Sequence, residues 1–271
     1  MLKQNFTLLI IIILILISGF YYLTICLNKT TKCNYSKIKN NINLDKYIAH
    51  AGGEYKKLYY TNSLEALNYN YEKGYRIFEV DISLTSDNKI VLIHDWKNTS
   101  KKYFSQNKIP SHKEFMSWKM NYGLTQIDLN TLIEWIKNKN NARIITDVKT
   151  KNNIKILKKI SIKYPGIISR IIPQIYNFQE YDQISKMGYK NIILTLYRIN
   201  NSDKEILNFA KEKNILAITM PINRAKTELP KKILQLGIPT FAHTVNSKKK
   251  EKKLKNNYCV FGIYTDSLNS F

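Results

Sequence analysis

Five polar side chains in the first part of this 271-residue chain follow or end short apolar runs. They are two histidines and three carboxylates: His50, Glu79, Asp81, His94 and Asp147. A strand that ends in a polar residue delivers that residue to the rim of a barrel. Carboxylates gathered there can hold a divalent cation, and histidines beside them can transfer protons. This combination of groups suits the metal-assisted cleavage of a phosphodiester.

The three carboxylates are the predicted metal ligands. Glu79 and Asp81 lie two residues apart on one expected strand, so both side chains point the same way, into the barrel. Two inward-facing carboxylates repel each other and are costly to bury unless a cation lies between them. Asp147 ends the next barrel strand, and oxygen ligands without cysteine suit Mg²⁺ or Ca²⁺. Lys149, on the same face as Asp147, is predicted to hold a substrate phosphate oxygen.

His50 and His94 are the predicted catalytic pair. Neutral imidazole titrates near physiological pH, so one ring can attack or deprotonate while the other protonates the leaving oxygen. The run that ends at His94 is separated from the strand before it by a turn too short for a parallel crossover. The two runs are therefore expected to form an antiparallel hairpin above the barrel mouth. Reflection about Asp87 places His94 opposite Val80, level with Glu79 and Asp81.

Strand-like and helix-like segments alternate over the rest of the chain. This order predicts a parallel sheet, and eight strands predict an α/β fold of the (β/α)₈ TIM-barrel type with the hairpin inserted after strand 2. The alternative is a doubly wound sheet, but no Gly-x-Gly-x-x-Gly follows the first strand. The expected barrel strands are 47–50, 77–82, 143–149, 170–175, 191–197, 217–222, 239–245 and 260–266. The expected helices include 63–73, 153–163, 178–187, 203–213, 228–236 and 247–255.

Residues 1–27 are predicted to form an N-terminal transmembrane anchor. Positions 8–27 carry no charge, and about 20 apolar residues span a bilayer, whereas a cleavable signal has an apolar core of about 7–15. Residues 28–44 are interpreted as a polar linker and residues 45–271 as the catalytic domain. The expected localisation is a single-pass membrane protein. Lysines flank both sides of the apolar segment, so the side of the membrane stays open, with an extracytoplasmic domain preferred.

The net charge of +23 would usually suggest nucleic acid or an anionic membrane as a partner. The excess is mostly lysine spread along the chain, whereas a nucleic-acid surface more often concentrates arginine and aromatic residues on one face. We therefore expect no nucleic-acid partner. The three cysteines give no disulfide framework, and nothing indicates the oligomeric state.

Several short motifs together resemble the glycerophosphodiester phosphodiesterase family, within the phospholipase C-like TIM-barrel superfamily. They cover roughly residues 47–266, in the family's order: His50-x-Gly52, Asn62-Ser63-Leu64-Glu65-Ala66, Glu79-x-Asp81, Leu84-Thr85-x-Asp87, Val91-x-x-His94-Asp95, Asp147-x-Lys149, Thr244-Val245-Asn246 and Thr265-Asp266. The resemblance implies a divalent metal on the three carboxylates and the two histidines as catalytic pair. It also implies a small-molecule or lipid phosphodiester bearing glycerol or a related alcohol as substrate.

The sequence departs from the family's pattern at four positions. Ala51 stands where the family usually has arginine, and Thr61 where it has glutamate. Asp147 stands where the third ligand is commonly glutamate, and His243 where an aromatic residue usually precedes Thr-Val-Asn. Asp-x-Lys also resembles the sphingomyelinase D-like branch, whose products can be cyclic phosphates. Three hypotheses follow: hydrolysis of glycerophosphodiesters or related lipid or polymer headgroups, lyase-like transfer that forms a cyclic phosphate, or a catalytically inactive barrel that binds phosphate ligands.

Overall fold

The chain folds as a closed barrel of parallel strands, and the computed structural model describes residues 33–38 and 44–268. The strands are β1 Tyr47–Ala49, β2 Ile77–Leu84, β3 Ile90–Leu92, β4 Arg143–Val148, β5 Ile171–Ile175, β6 Ile193–Thr195, β7 Ala217–Pro221, β8 Thr240–His243 and β9 Gly262–Thr265. They are ordered β1-β9-β8-β7-β6-β5-β4-β2-β3, and β1 also pairs with β2, which closes the ring. The expected (β/α)₈ architecture is confirmed, and the doubly wound alternative is wrong.

Helices connect successive barrel strands. They are α1 Leu64–Glu72, α2 Asn98–Phe104, α3 His112–Ser117, α4 Leu129–Asn138, α5 Asn153–Lys163, α6 Glu180–Lys186, α7 Asp203–Glu212, α8 Ile222–Ala225, α9 Leu229–Gln235 and α10 Lys248–Tyr258. Side-chain caps explain several of the starting points. Ser63 accepts a hydrogen bond from an amide of α1, and Ser202 forms a capping box with Glu205 at the start of α7.

Strand β2 alternates between two apolar layers. Phe78 and Val80 belong to the layer shared with the surrounding helices, whereas Ile77 belongs to the cluster inside the barrel. Because side chains alternate along a strand, Glu79 and Asp81 share the inner face with Ile77. The inward direction predicted for both carboxylates is therefore confirmed.

Strand β4 repeats this arrangement beside β2. Ile144 packs in the outer layer and Ile145 inside the barrel. Asp147, two residues beyond Ile145, shares the inner face and stands directly opposite Asp81 in the parallel register. The sheet register alone thus brings two of the predicted ligands together at the carboxyl end of the barrel.

Strands β2 and β3 form the predicted antiparallel hairpin. Ile82 stands opposite Leu92 in its register, which places His94 opposite Val80 when it is continued by two residues. The predicted return of His94 to the level of the carboxylates is thus confirmed.

The hairpin packs on an apolar cluster that is separate from the barrel core. The members of this cluster are Val91, Ile93, Tyr103, Phe104, Phe115, Met120 and Leu124. The ring of Phe115, from α3, is fully buried. Truncating a buried phenylalanine to alanine typically destabilises a protein by about 3–5 kcal/mol. The insertion is therefore a packed support for His94.

The predicted anchor at residues 1–27 lies outside the described residues. Of the predicted linker, the structure describes 33–38 and residue 44. A 3₁₀ turn spans Tyr35–Lys37, and the Tyr35 hydroxyl donates to the carbonyls of Lys255 at 2.9 Å and Val260 at 3.1 Å. Within the described ranges, no helix combines the length and apolar character needed to cross a membrane. The anchor and the domain limits remain predictions.

Candidate active site

Three carboxylates meet at the carboxyl ends of β2 and β4. Glu79, Asp81 and Asp147 each offer an oxygen atom, and these atoms lie within 4.8 Å of one another. All three residues are buried. The predicted ligand set is therefore assembled in space, and its shared burial makes mutual repulsion strong.

Lys149 contacts two of these carboxylates. Its Nζ lies 2.7 Å from Asp81 Oδ1 and 2.5 Å from Asp147 Oδ2. Burial alone would lower the pKa of Lys149, but the neighbouring carboxylates raise it, so the ammonium stays charged. It offsets one of three negative charges and competes with any metal ion for two of the three ligand residues. Its predicted contact with a substrate phosphate stays a prediction.

Glu79 is the carboxylate that Lys149 leaves uncompensated. Its Oε2 accepts a hydrogen bond from the Ala51 amide at 2.8 Å, but its buried Oε1 has no hydrogen-bond partner among the described residues. Burial, and next the charge of Asp81, raises the pKa of Glu79 well above its usual range. Such an oxygen needs either a proton or a cation. Carboxylate oxygens without thiolates fit a hard divalent cation such as Mg²⁺ or Ca²⁺.

His50 follows β1 directly and lies beside this cluster. Its Nδ1 is 2.8 Å from Asp266 Oδ1, and its Nε2 is 3.9 Å from Glu79 Oε2. Burial alone would lower the pKa of His50, but the hydrogen bond to Asp266 and the charge of Glu79 raise it to about 9. The imidazole is thus oriented by one carboxylate, with Nε2 directed toward the cluster.

A tight turn after β1 fixes the backbone of His50. The side-chain amide of Asn70 donates hydrogen bonds to the backbone carbonyls of Gly52 and Glu54, both at 3.0 Å. Gly53 has φ 86°, and a Cβ atom there would lie 2.5 Å from Asn70 Nδ2. Only glycine satisfies both the backbone angle and this close approach.

His94 is oriented in the same manner from the insertion. Its Nδ1 lies 3.0 Å from Asp95 Oδ2. The other oxygen of Asp95 accepts hydrogen bonds from the amides of Lys97 at 3.0 Å and Asn98 at 2.5 Å, at the start of α2. Asp95 therefore connects the start of α2 to the imidazole of His94 and leaves Nε2 of that ring without a partner among the described residues.

The structure assigns positions to residues whose roles the sequence did not reveal. Asp266 accepts a hydrogen bond from the Asn246 side chain at 2.5 Å and donates its amide to the same side chain at 2.8 Å. Asn62 likewise donates to Asp81 Oδ2 at 2.8 Å and accepts from the Asp81 amide at 2.9 Å. All of these residues lie in the motifs quoted above. The motifs indicated that these residues matter, but they did not indicate which side chains form hydrogen bonds with each other.

Two tyrosines hold Asp147 from the far side. The hydroxyls of Tyr176 and Tyr197 donate to Asp147 Oδ1 at 2.6 and 2.8 Å. The guanidinium of Arg198 lies over both rings, 4.5 and 4.9 Å from their centroids. Burial opposes ionisation of Asp147, but Lys149 and these hydroxyls lower its pKa. Sequence reasoning gave no signal for this support.

The two remaining histidines make no hydrogen bond to the three carboxylates. His243 Nδ1 is 3.1 Å from the Thr219 hydroxyl, and burial lowers the pKa of His243 to about 4, so the ring is neutral. His112 is the first residue of α3, and its Nε2 lies 3.0 Å from Asp128 Oδ2.

Comparison with protein families gives one match. Residues 50–101 match the glycerophosphoryl diester phosphodiesterase family. This segment contains His50, Glu79, Asp81 and His94. No curated protein sequence matches the chain.

Solved structures of that name share the fold. A glycerophosphodiester phosphodiesterase from Thermotoga maritima is 20% identical with a TM-score of 0.65, over 83% of this chain and 96% of that one. One from Parabacteroides distasonis is 18% identical with a TM-score of 0.63, over 82% and 92%. An Oleispira antarctica phosphodiesterase, in complex with its product sn-glycerol-3-phosphate, is 15% identical with a TM-score of 0.66, over 82% and 93%. Across residues 50–101 this chain thus carries the sequence pattern of the glycerophosphoryl diester phosphodiesterase family, on the barrel fold that these structures share.

Proposed function

We propose that this protein is a metal-dependent phosphoric diester hydrolase that acts on glycerophosphodiesters or related lipid or polymer headgroups. The observation that carries the proposal is the pairing of two histidine–aspartate units around a buried carboxylate cluster. His50 and His94 each contact an aspartate through Nδ1, which leaves Nε2 of each ring available for proton transfer. Acid–base transfer across a scissile bond needs one group that accepts a proton and one that donates it, and two oriented imidazoles can fill both roles.

Glu79, Asp81 and Asp147 would hold the divalent cation. When bound there, the cation supplies Lewis-acid polarisation of the phosphate oxygens and a template for the diester. The carboxylates fit this role because the unpartnered Glu79 oxygen and the net charge left by Lys149 both favour a cation. Lys149, at the edge of the cluster, can turn its ammonium toward a phosphate oxygen.

The two imidazoles would carry the proton transfers. One Nε2 accepts the proton of the attacking water as the new oxygen–phosphorus bond forms in line with the leaving group. The other Nε2 gives a proton to the leaving alkoxide as its bond to phosphorus breaks. The products are a phosphomonoester and an alcohol. Asp266 and Asp95 hold the rings of His50 and His94 in the tautomer that this exchange requires.

Turnover of defined diesters tests the proposal. The full-length chain, purified in detergent with Mg²⁺ or Ca²⁺, is expected to release a phosphomonoester from glycerophosphocholine, glycerophosphoinositol, a lysolipid or a teichoic-type polymer. His50→Ala and His94→Ala should each lower kcat by about 100-fold or more, the size of lost acid–base catalysis. His112→Ala is the matched control, because its ring also pairs with an aspartate but lies outside the cluster.

The same experiment separates the other two hypotheses. Phosphorus NMR distinguishes a phosphomonoester from a cyclic phosphate that persists as end product. An inactive binding barrel would bind phosphate esters without turnover, and His50→Ala would then change no rate. Absence of diester cleavage with every substrate and both metals would refute the proposed hydrolase.

We further propose that residues 8–27 anchor the protein as a single membrane span, with the barrel on the extracytoplasmic side. The support is the uncharged length of that segment. Membrane fractionation and protease accessibility in intact cells test both statements. Recovery of the full-length chain in the soluble fraction would contradict the anchor, and protection of the barrel from external protease would contradict its side.

A further inference from the structure

The phenol ring of Tyr60 lies between the two candidate catalytic histidines. Its centroid is 4.8 Å from that of His50, with an interplanar angle of 82°. It is 5.1 Å from that of His94, with an angle of 76°. Both contacts are edge-to-face, so a single ring touches both imidazoles. Tyr60 is also 37% exposed, which places it at the open mouth and not in the core.

The hydroxyl of Tyr60 donates to no acceptor among the described residues. The neighbouring Tyr176 and Tyr197 differ, because both donate to Asp147. Burial, and next the charge of Asp266, raises the pKa of Tyr60, so its hydroxyl keeps its proton at neutral pH. The mouth thus offers a neutral hydrogen-bond donor that is not bonded to any of the described residues.

The backbone holds Tyr60 in an unusual conformation. Its φ of 59° lies in the left-handed region, which residues other than glycine rarely adopt. The segment is fixed on both sides: the Tyr103 hydroxyl donates to the Tyr59 carbonyl at 2.6 Å, and the Asn62 side chain is bonded to Asp81. Such conformations persist where the surrounding structure determines them, and they concentrate at functional sites.

We propose that Tyr60 is a further substrate-binding residue, whose hydroxyl donates a hydrogen bond to a phosphate oxygen of an ester bound beside His50 and His94. Its ring contacts both imidazoles, so a hydroxyl on that ring lies close to any ester on which they act. The inference rests on the proposed function for the nature of the ligand. It adds a neutral donor to a site whose lysine is engaged with two carboxylates.

Tyr60→Phe tests this role because it removes the hydroxyl and retains the ring contacts. The expected result is a loss of kcat/KM of about 10- to 100-fold, the size of a hydrogen bond to a charged group. Binding of sn-glycerol-3-phosphate, measured by calorimetry with the same metal, should weaken by a similar factor. The melting temperature should stay unchanged. Tyr122→Phe is the matched control, because Tyr122 is 64% exposed and lies outside the site.

The two measurements separate this inference from the proposed function. If the wild type cleaves diesters and Tyr60→Phe retains its rate and affinity, the inference is wrong and the function stands. If the wild type cleaves nothing, the proposed function fails, and the binding measurement decides alone. Weaker binding of sn-glycerol-3-phosphate by Tyr60→Phe than by the wild type then supports the inference. Equal binding, or none by either protein, overturns it.

Discussion

Replacing Glu79 with glutamine should stabilise the protein when no divalent cation is present and should reduce the stabilisation that a cation provides. In the folded protein the pKa of Glu79 is raised, so the folded state holds this proton more tightly than the unfolded chain. Ionisation therefore lowers stability as the pH rises above the unfolded value. The Glu79→Gln side chain keeps an oxygen for the Ala51 amide and puts an N–H donor where Oε1 now lacks a partner.

The magnitude follows from these contacts. Without metal at pH 8, removing a buried charge should stabilise the variant by about 1–3 kcal/mol. With a cation at about 100 times its Kd, the wild type should gain about 2.7 kcal/mol, because the ion binds only the folded state. One kcal/mol corresponds to about 2–4 °C in Tm for a domain of this size. The wild type should therefore gain about 5–10 °C, and the variant much less.

Thermal unfolding of the full-length chain measures both effects, with EDTA and then with Mg²⁺ or Ca²⁺. The variant should melt above the wild type in EDTA, and the cation should raise the Tm of the wild type by more than that of the variant. Glu134→Gln is the control for the same exchange of side chains, because Glu134 is exposed on α4. An unchanged wild-type Tm in both metals, or an equal gain in the variant, would refute the assignment of Glu79 as a ligand.

Three further outcomes are expected. Asp266→Asn should lower the pKa of His50, measured by NMR of the ring protons, and an unchanged pKa would refute Asp266 as its partner. The same change should reduce kcat by about 10-fold or more, because the His50 imidazole is no longer held in its orientation. In EDTA, the protonated His50 ring stabilises the fold, because its pKa is raised to about 9 in the folded protein. This contribution is complete below about pH 6.5 and is lost as the pH rises through about 9, so denaturant titrations should show the free energy of unfolding fall by at most about 3 kcal/mol. Asp266→Asn should make this fall smaller, and a flat profile would contradict the prediction. Asn62→Ala should weaken cation affinity about 10-fold by releasing Asp81, measured by calorimetry, and equal affinity would assign Asn62 to the fold alone.

Much of the barrel was predictable because each strand is a short apolar run rich in β-branched residues. The prediction from residues 77–82 also gave the inward face of Glu79 and Asp81, since alternation on a strand is a local property. The hairpin register followed from the length of its turn. By contrast, helix α4 at Leu129–Asn138 was not predicted, although Asp128 caps it and its apolar side chains are buried.

Contacts between distant residues could not be predicted from local pattern. His50 and Asp266 meet only because β1 pairs with β9 when the barrel closes. The sequence placed Lys149 on the face of Asp147, but it gave no indication that Lys149 would also reach Asp81. In the folded protein its long side chain reaches two buried carboxylates, where charge compensation is strongest. Spacing on one strand reveals a shared face, but it does not reveal which charges a flexible side chain will meet.

The hydrogen bond between His50 and Asp266 connects the residue that follows the first strand of the barrel to the residue that follows the last. An aligned imidazole is therefore available only after residue 266 has been synthesised and the barrel has closed. A chain still emerging from the ribosome contains His50 but not yet Asp266, the residue that orients its ring. Activity would thus report completion of the barrel, and shortened forms ending before residue 266 should remain inert even where their apolar layers have formed.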